Sequence, residues 1–170
     1  MLRSVVQVIL QRELAALRRS VEAYPDDASI WAERPGLPNP GGTLVLHLAG
    51  NLQHYLGVVL GQSGYRRDRE AEFARRGVTL QALLEEIDAA RVAVDLGFAN
   101  LTAETVRQPF PELIAGRSVV TSDYLVHLAS HLAYHLGQLD YHRRCVTGDP
   151  RSIGALAPAE LPGPKSKDEE

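Results

Sequence analysis

The chain has 170 residues, a formal charge of −3, one cysteine and six histidines, with a sequence pI of about 6.1. That length suits one domain with a real core, and the charge offers no basic field for nucleic acid or an anionic membrane. The lone Cys145 excludes an intrachain disulfide or a multi-thiolate zinc site and gives no sign of an oxidising compartment.

The opening MLRSVVQVILQRELAALRR carries Arg3, Arg12 and Glu13 and has no small-residue cleavage site. It does not read as a signal peptide, so a cytoplasmic location is the default expectation. A first helix is predicted over about Leu2–Tyr24, where Val6, Ile9, Leu10, Leu14, Leu17 and Val21 recur at three- and four-residue steps. Pro25-Asp26-Asp27 stops it. The loop AERPGLPNPGG follows, with prolines and glycines foreign to a helix and Trp31 at its start to pack it down.

A second helix is predicted over about Thr43–Gly61, with Thr43 as N-cap. From Pro35 to Tyr65 there is no Asp, Glu, Lys or Arg, and TLVLHLAGNLQHYLGVVLG is about the length of a membrane span. His47, Asn51, Gln53 and His54 would be costly in hydrocarbon, however. A core helix of a soluble protein with one polar stripe fits better. The highly charged QSGYRRDREAEFARRG then reads as a surface connection with a short turn of helix.

Thr79 opens the third helix as a plain cap, since Ala82 stands where a capping box would place Glu. Leu80, Leu83, Leu84, Ile87, Val94 and Leu101 form its apolar stripe, with Glu85, Glu86, Asp88, Arg91 and Asp95 mostly on the wet side. Gln108-Pro109-Phe110-Pro111 breaks the chain. Thr121 or Ser122 caps a fourth helix to about Val146, and Gly148-Asp149-Pro150 ends it. Residues 1–150 therefore read as one helical domain, and residues 151–170 as a C-terminal tail at least partly disordered. Four such helices predict an all-α four-helix bundle. The two later connections, roughly 15–20 residues each, exceed the usual short loops, so at least one is expected to cross over to a parallel helix.

All six histidines fall on the second and fourth helices. In HLASHLAYHLGQLDYHRR, His127, His131 and His135 recur every fourth residue, one turn apart on one helical face. His131 and His135 converge well enough to share a divalent ion, which accepts neutral imidazole at about 2 Å. A single ion takes only one adjacent pair from the series, and a third ligand must come from elsewhere. His47 and His54, roughly 10 Å apart along a straight helix, cannot both supply it. The intervening Leu-Ala-Tyr excludes the His-Glu-x-x-His arrangement of zinc proteases. Packed, hydrogen-bonded imidazoles are the plainer alternative. Against it stands the cost of burying several imidazoles unpaired with almost no carboxylate nearby.

The pairing of HLAGNLQHYLG with the later HLASHLAYHLGQL resembles the DinB/YfiT-like superfamily of metal-binding helical proteins, over roughly Gly42–Arg144. That resemblance implies an up-down-down-up four-helix bundle over residues 1–150 and a three-histidine metal site. Carried over residue by residue, His47 is the ligand from the second helix, and His131 and His135 the pair from the fourth. His127 matches a position often histidine in relatives without being a ligand, and would line the pocket. Tyr134 stands where many relatives have a further histidine, and Leu136 where many have arginine. The implied cofactors are one divalent transition metal (nickel, zinc, iron or manganese) and a low-molecular-weight thiol such as mycothiol or bacillithiol. The implied activity is a metal-dependent thiol S-transferase or hydrolase; the alternative is a non-catalytic metal- or ligand-binding bundle serving stress response or interaction. The superfamily also suggests a homodimer.

The remaining polar residues have smaller roles. Asn51, Gln138 and Asp140 are candidates to orient a ligand or water, while His54 and His142 read as structural or exposed. Cys145, near a helix C-terminus whose dipole disfavours a thiolate, is not a nucleophile candidate. No catalytic residue is assigned, the small-molecule substrate is not specified, and neither nucleic acid nor membrane is an expected partner.

Overall fold

The computed structural model describes residues 2–154 and Pro158. Every regular element among them is helical: α1 (Leu2–Glu22), α2 (Asp27–Ile30), α3 (Gly41–Leu52) continued by a π-helical segment (Gln53–Leu60), α4 (Arg69–Ala74), α5 (Leu80–Ala99), a 3-10 turn (Thr105–Arg107) and α6 (Thr121–Thr147). No helix among the described residues is long and apolar enough to cross a membrane. The disorder expected for the chain's end concerns residues 155–157 and 159–170, which lie outside the described ones.

The apolar stripe of α1 goes where its spacing sends it, with Val6, Leu10, Leu14, Leu17 and Val21 all buried. Each such side chain contributes roughly 1.5–3 kcal/mol by leaving water. The carboxylate of Asp26 accepts from the Ser29 amide at 2.7 Å, so the segment that stops α1 also caps α2. On α5, Thr79 does cap, accepting from Ala82 N at 3.2 Å.

Two other expected caps are corrected. Helix α3 begins at Gly41, behind Pro40, and Thr43 lies inside it, fully buried with Oγ1 lacking a partner. The two glycines belong to the helix because a Cβ would collide with Tyr24 and Leu139 at Gly41, and with the Trp31 ring at Gly42. Close packing, not chain breaking, selects them. Helix α6 likewise has no side-chain cap: Thr121 Oγ1 donates to Gln108 O at 2.9 Å, tying the helix start to the preceding loop.

The second half of the second helix departs most from expectation. From Gln53 the backbone winds as a π-helix, which changes the angular step between residues. His54 lies one residue into that segment. It turns to Glu112, with His54 Nε2 3.0 Å from Glu112 Oε2.

Helix α1 packs on α5 and α6; α3 packs on α4, α5 and α6; and the π-helical segment lies on α5. Polar pairs mark the register. Gln7 and Gln11 both donate to Asp95, at 3.0 and 2.9 Å, and Arg18 pairs with Asp88 at 2.8 Å. Gln53 donates to Glu86 at 3.0 Å, and Gly57 approaches Ala93 further along. At the C-terminal end of α6, Gly148 takes a left-handed conformation at φ 71°, and the chain folds back over the domain. Arg19 Nε donates to Ile153 O at 3.0 Å, and the Ile153 side chain packs against the core.

Candidate metal centre

Helices α3 and α6 face each other along a row of rings. Tyr55 lies against Tyr124 (centroids 5.1 Å apart), while His47 lies against His131 (5.1 Å) and His135 (5.4 Å). The four-residue histidine spacing of α6 and the single imidazole of α3 thus meet one another. One nitrogen from each of His47, His131 and His135 falls within 4.8 Å of the others. His47 Nε2 and His131 Nε2 stand 3.3 Å apart. Two nitrogens held about 2.0–2.1 Å from one ion at a near-tetrahedral angle stand about 3.3 Å apart. The donor set and its spacing therefore fit a divalent transition metal. His47 is buried and the α6 pair half-buried, so the group sits where the core meets solvent.

The second ring nitrogens decide which atoms remain for an ion. His47 Nδ1 donates to Glu72 Oε2 at 3.0 Å, leaving Nε2 with its lone pair. His135 Nδ1 is 2.7 Å from Gln138 Oε1 and donates to it, leaving Nε2 again. Glu72, only 5 % exposed, is itself held by Arg67, whose Nε donates to Oε1 at 2.7 Å and Nη2 to Oε2 at 3.0 Å. Burial alone would raise the Glu72 carboxyl. The hydrogen bonds from His47 and Arg67, and the Arg67 charge, outweigh that and hold it below the usual carboxylate value. Phe73 packs its ring on His47 at 5.0 Å.

His131 is pushed down to about 4, first by burial and then by the neighbouring imidazoles His135, His47 and His127. Burial likewise lowers His135, against an opposing hydrogen bond from Gln138. Both rings of the α6 pair are neutral near pH 7, and neutral imidazole is the form that ligates.

The other sequence candidates fall in different places. His127 is exposed, stacked on Tyr124 (5.6 Å) and on His131 (6.1 Å). Asn51, one turn after His47, is buried with Oδ1 unpartnered among the described residues. Gln138 does hold a ring of the group. Asp140 does not: it pairs with Arg143 (2.9 Å) and Arg144 (2.6 Å) at the C-terminal end of α6. His142 is structural, donating from Nε2 to Ala32 O at 2.8 Å and accepting the Tyr24 hydroxyl at Nδ1 at 2.7 Å. Cys145 is exposed and free.

Sequence reasoning missed Glu72 and Arg67, because a run as charged as YRRDREAEF reads as surface. One signal pointed to them. Gly50 sits inside an apolar helical run, and such a glycine often marks a close approach. A Cβ there would run into the Glu72 carboxylate. Gly50→Ala, normally worth about 0.5–1 kcal/mol of added helix stability, is expected to destabilise this protein and to weaken metal binding. Thermal melts and a chelator-dye competition check both; a stabilised variant with unchanged affinity would contradict the account.

An all-helical protein that gathers three imidazoles from two helices belongs to a recognisable class, that of helical proteins with an open histidine site. Residues 9–139 match the family model of the DinB superfamily, and the chain belongs to that superfamily. No curated protein and no solved structure matches the chain.

Proposed function

We propose that the protein is a metal-dependent enzyme acting on, or with, a low-molecular-weight thiol, as an S-transferase or hydrolase, and that His47, His131 and His135 hold one divalent ion. The observation that carries the reading is the 3.3 Å separation of the His47 and His131 Nε2 atoms, with His135 beside them. Glu72 orients His47, and Gln138 orients His135. The proposed architecture is a four-helix bundle in which α1 and α6 run one way and α3 and α5 the other. Supporting it, α1 numbers rise as α5 numbers fall through Gln7–Asp95 and Arg18–Asp88. The numbers rise together through Gln53–Glu86 and Gly57–Ala93.

Three protein ligands leave coordination positions open, as catalytic rather than structural sites do. When bound, the ion would supply Lewis acidity, making a water or a thiol nucleophilic near neutral pH. The chain's own residues do the rest. Glu72 keeps the proton of His47 on Nδ1, Gln138 keeps that of His135 on Nδ1, and the buried Arg67 balances the Glu72 charge. His127, with both ring nitrogens free of hydrogen bonds among the described residues, stands one turn from His131, where it can take a proton from a substrate. Nickel, zinc, iron and manganese all accept imidazole.

The test is turnover by protein loaded separately with each of those metals. Mycothiol and bacillithiol are offered with an electrophilic acceptor, alongside a panel of esters and amides, with His131→Ala as baseline. Metal-dependent consumption of thiol or ester supports the proposal. Full metal occupancy without turnover of any of them would leave a metal-binding bundle that is not an enzyme of this kind.

A further inference from the structure

A cavity of about 580 Å³ lies between α6 and the loop that precedes α3. That is within the range of small-molecule sites. Leu37, Pro38 and Leu44 line it from the loop and the start of α3; Tyr134 and Tyr141, both about two-thirds exposed, line it from α6. His135 borders it, so the cavity shares one ring with the candidate metal centre.

Three features describe what it would hold. Among the described residues no Asp, Glu, Lys or Arg lines it, and the His142 imidazole on its border has both nitrogens engaged within the protein. A guanidinium does stand at its edge, Arg144 over the Tyr141 ring, but it is paired with Asp140 at 2.6 Å. A charged ligand group would therefore find little free counter-charge in exchange for lost water. The tyrosine rings offer flat apolar surface, a good match for an aromatic ligand. Gln138 supplies the polar anchor. Its Oε1 accepts from His135 Nδ1 at 2.7 Å, which leaves the Nε2 amide available to donate to a ligand in the cavity the residue lines.

We propose that this cavity binds the uncharged, aromatic portion of a small-molecule ligand bearing a carbonyl acceptor, which Gln138 orients beside His135. The cavity and its lining need no ion. The anchor rests on the proposed metal reading, because ligation through Nε2 is what places the His135 proton on Nδ1 and so turns the Gln138 amide nitrogen outward.

Gly137 provides the test. A Cβ at this position meets nothing within 4 Å, and the residue lines the cavity. Gly137→Leu fills it from an exposed helical position, where leucine also has the higher helix propensity. Isotope-labelled protein, with and without zinc, is titrated with benzamide and with benzoate while amide resonances are followed by NMR. Benzamide is expected to shift the Gly137 backbone amide and the Gln138 side-chain amide, with benzoate at least ten-fold weaker. Gly137→Leu should lose the benzamide response while still binding zinc as the parent does.

Equal responses to benzamide and benzoate, an unchanged response in Gly137→Leu, or no shift at these residues would each overturn the proposal. A specific benzamide response in protein that takes up no zinc would sink the metal reading and leave the cavity standing. Zinc uptake without a benzamide response would do the reverse.

Discussion

Glu72→Ala is expected to lower metal affinity by roughly 10–100-fold, the usual effect of removing a carboxylate behind a ligating histidine. The carboxylate sets the tautomer of His47 and fixes its ring, so without it Nε2 is directed at the ion only part of the time. The same change leaves the largely buried Arg67 without its bidentate partner. An unpaired buried charge is strongly destabilising, so metal-free Glu72→Ala should also unfold at lower urea. Glu72→Gln separates the two effects. Its amide oxygen can still accept from His47, so affinity should fall less, while the charge that matched Arg67 is lost. Dye competition and urea unfolding on both variants measure the pair of effects. Unchanged affinity in Glu72→Ala would show that His47 is held by its packing alone.

The second large effect lies more than two helical turns from the imidazoles. Arg143 is 1 % exposed. It donates to Asp140 at 2.9 Å and, beyond the helix, to the carbonyls of Asp149 (3.4 Å) and Arg151. Arg143→Ala removes a buried cation and releases the segment that folds back over α1. Breaking such a buried network typically costs about 3–5 kcal/mol. The lower end is expected, because Asp140 keeps Arg144 at 2.6 Å. Metal stoichiometry should be untouched. A loss of metal together with intact stability would reverse the roles assigned to the two ends of α6.

Much of the fold was legible because its helices are amphipathic in the ordinary way. The stripes of α1 and α5 predicted most of the buried positions, and Thr79 predicted its own cap. Ile9, Leu80 and Leu84 are only half-buried, however, and the buried Ala90, Ala93 and Phe98 were not foreseen. The histidine pair of α6 was legible for the same reason, since residues four apart meet on any helix. His47 came from the resemblance to a family and not from spacing, and the fold sets it beside that pair.

What stayed hidden depends on contacts between distant segments. Gly41 and Gly42 read as loop residues because nothing local says that Trp31 and Tyr24 will press against them. The π-helical winding of Gln53–Leu60 leaves no periodic mark in so short a run, and nothing local pairs His54 with Glu112. Asp140 and Glu72 are both acids on helices rich in other polar groups. Only tertiary packing decides that the first meets two arginines and the second meets a ring of the candidate centre.

The central claim is that three imidazoles hold one ion. Elemental analysis of untagged, chelator-free protein tests it most directly, beside the His131→Ala/His135→Ala double variant and the single variants His47→Ala and His54→Ala. About one equivalent of a transition metal is expected in the parent, since the ligand set makes a single site. None is expected in the double variant, a reduced or absent load in His47→Ala, and a full load in His54→Ala. No metal in the parent even after reconstitution with nickel, zinc, iron and manganese would contradict the account, leaving His47, His131 and His135 as packed rings in a helical core.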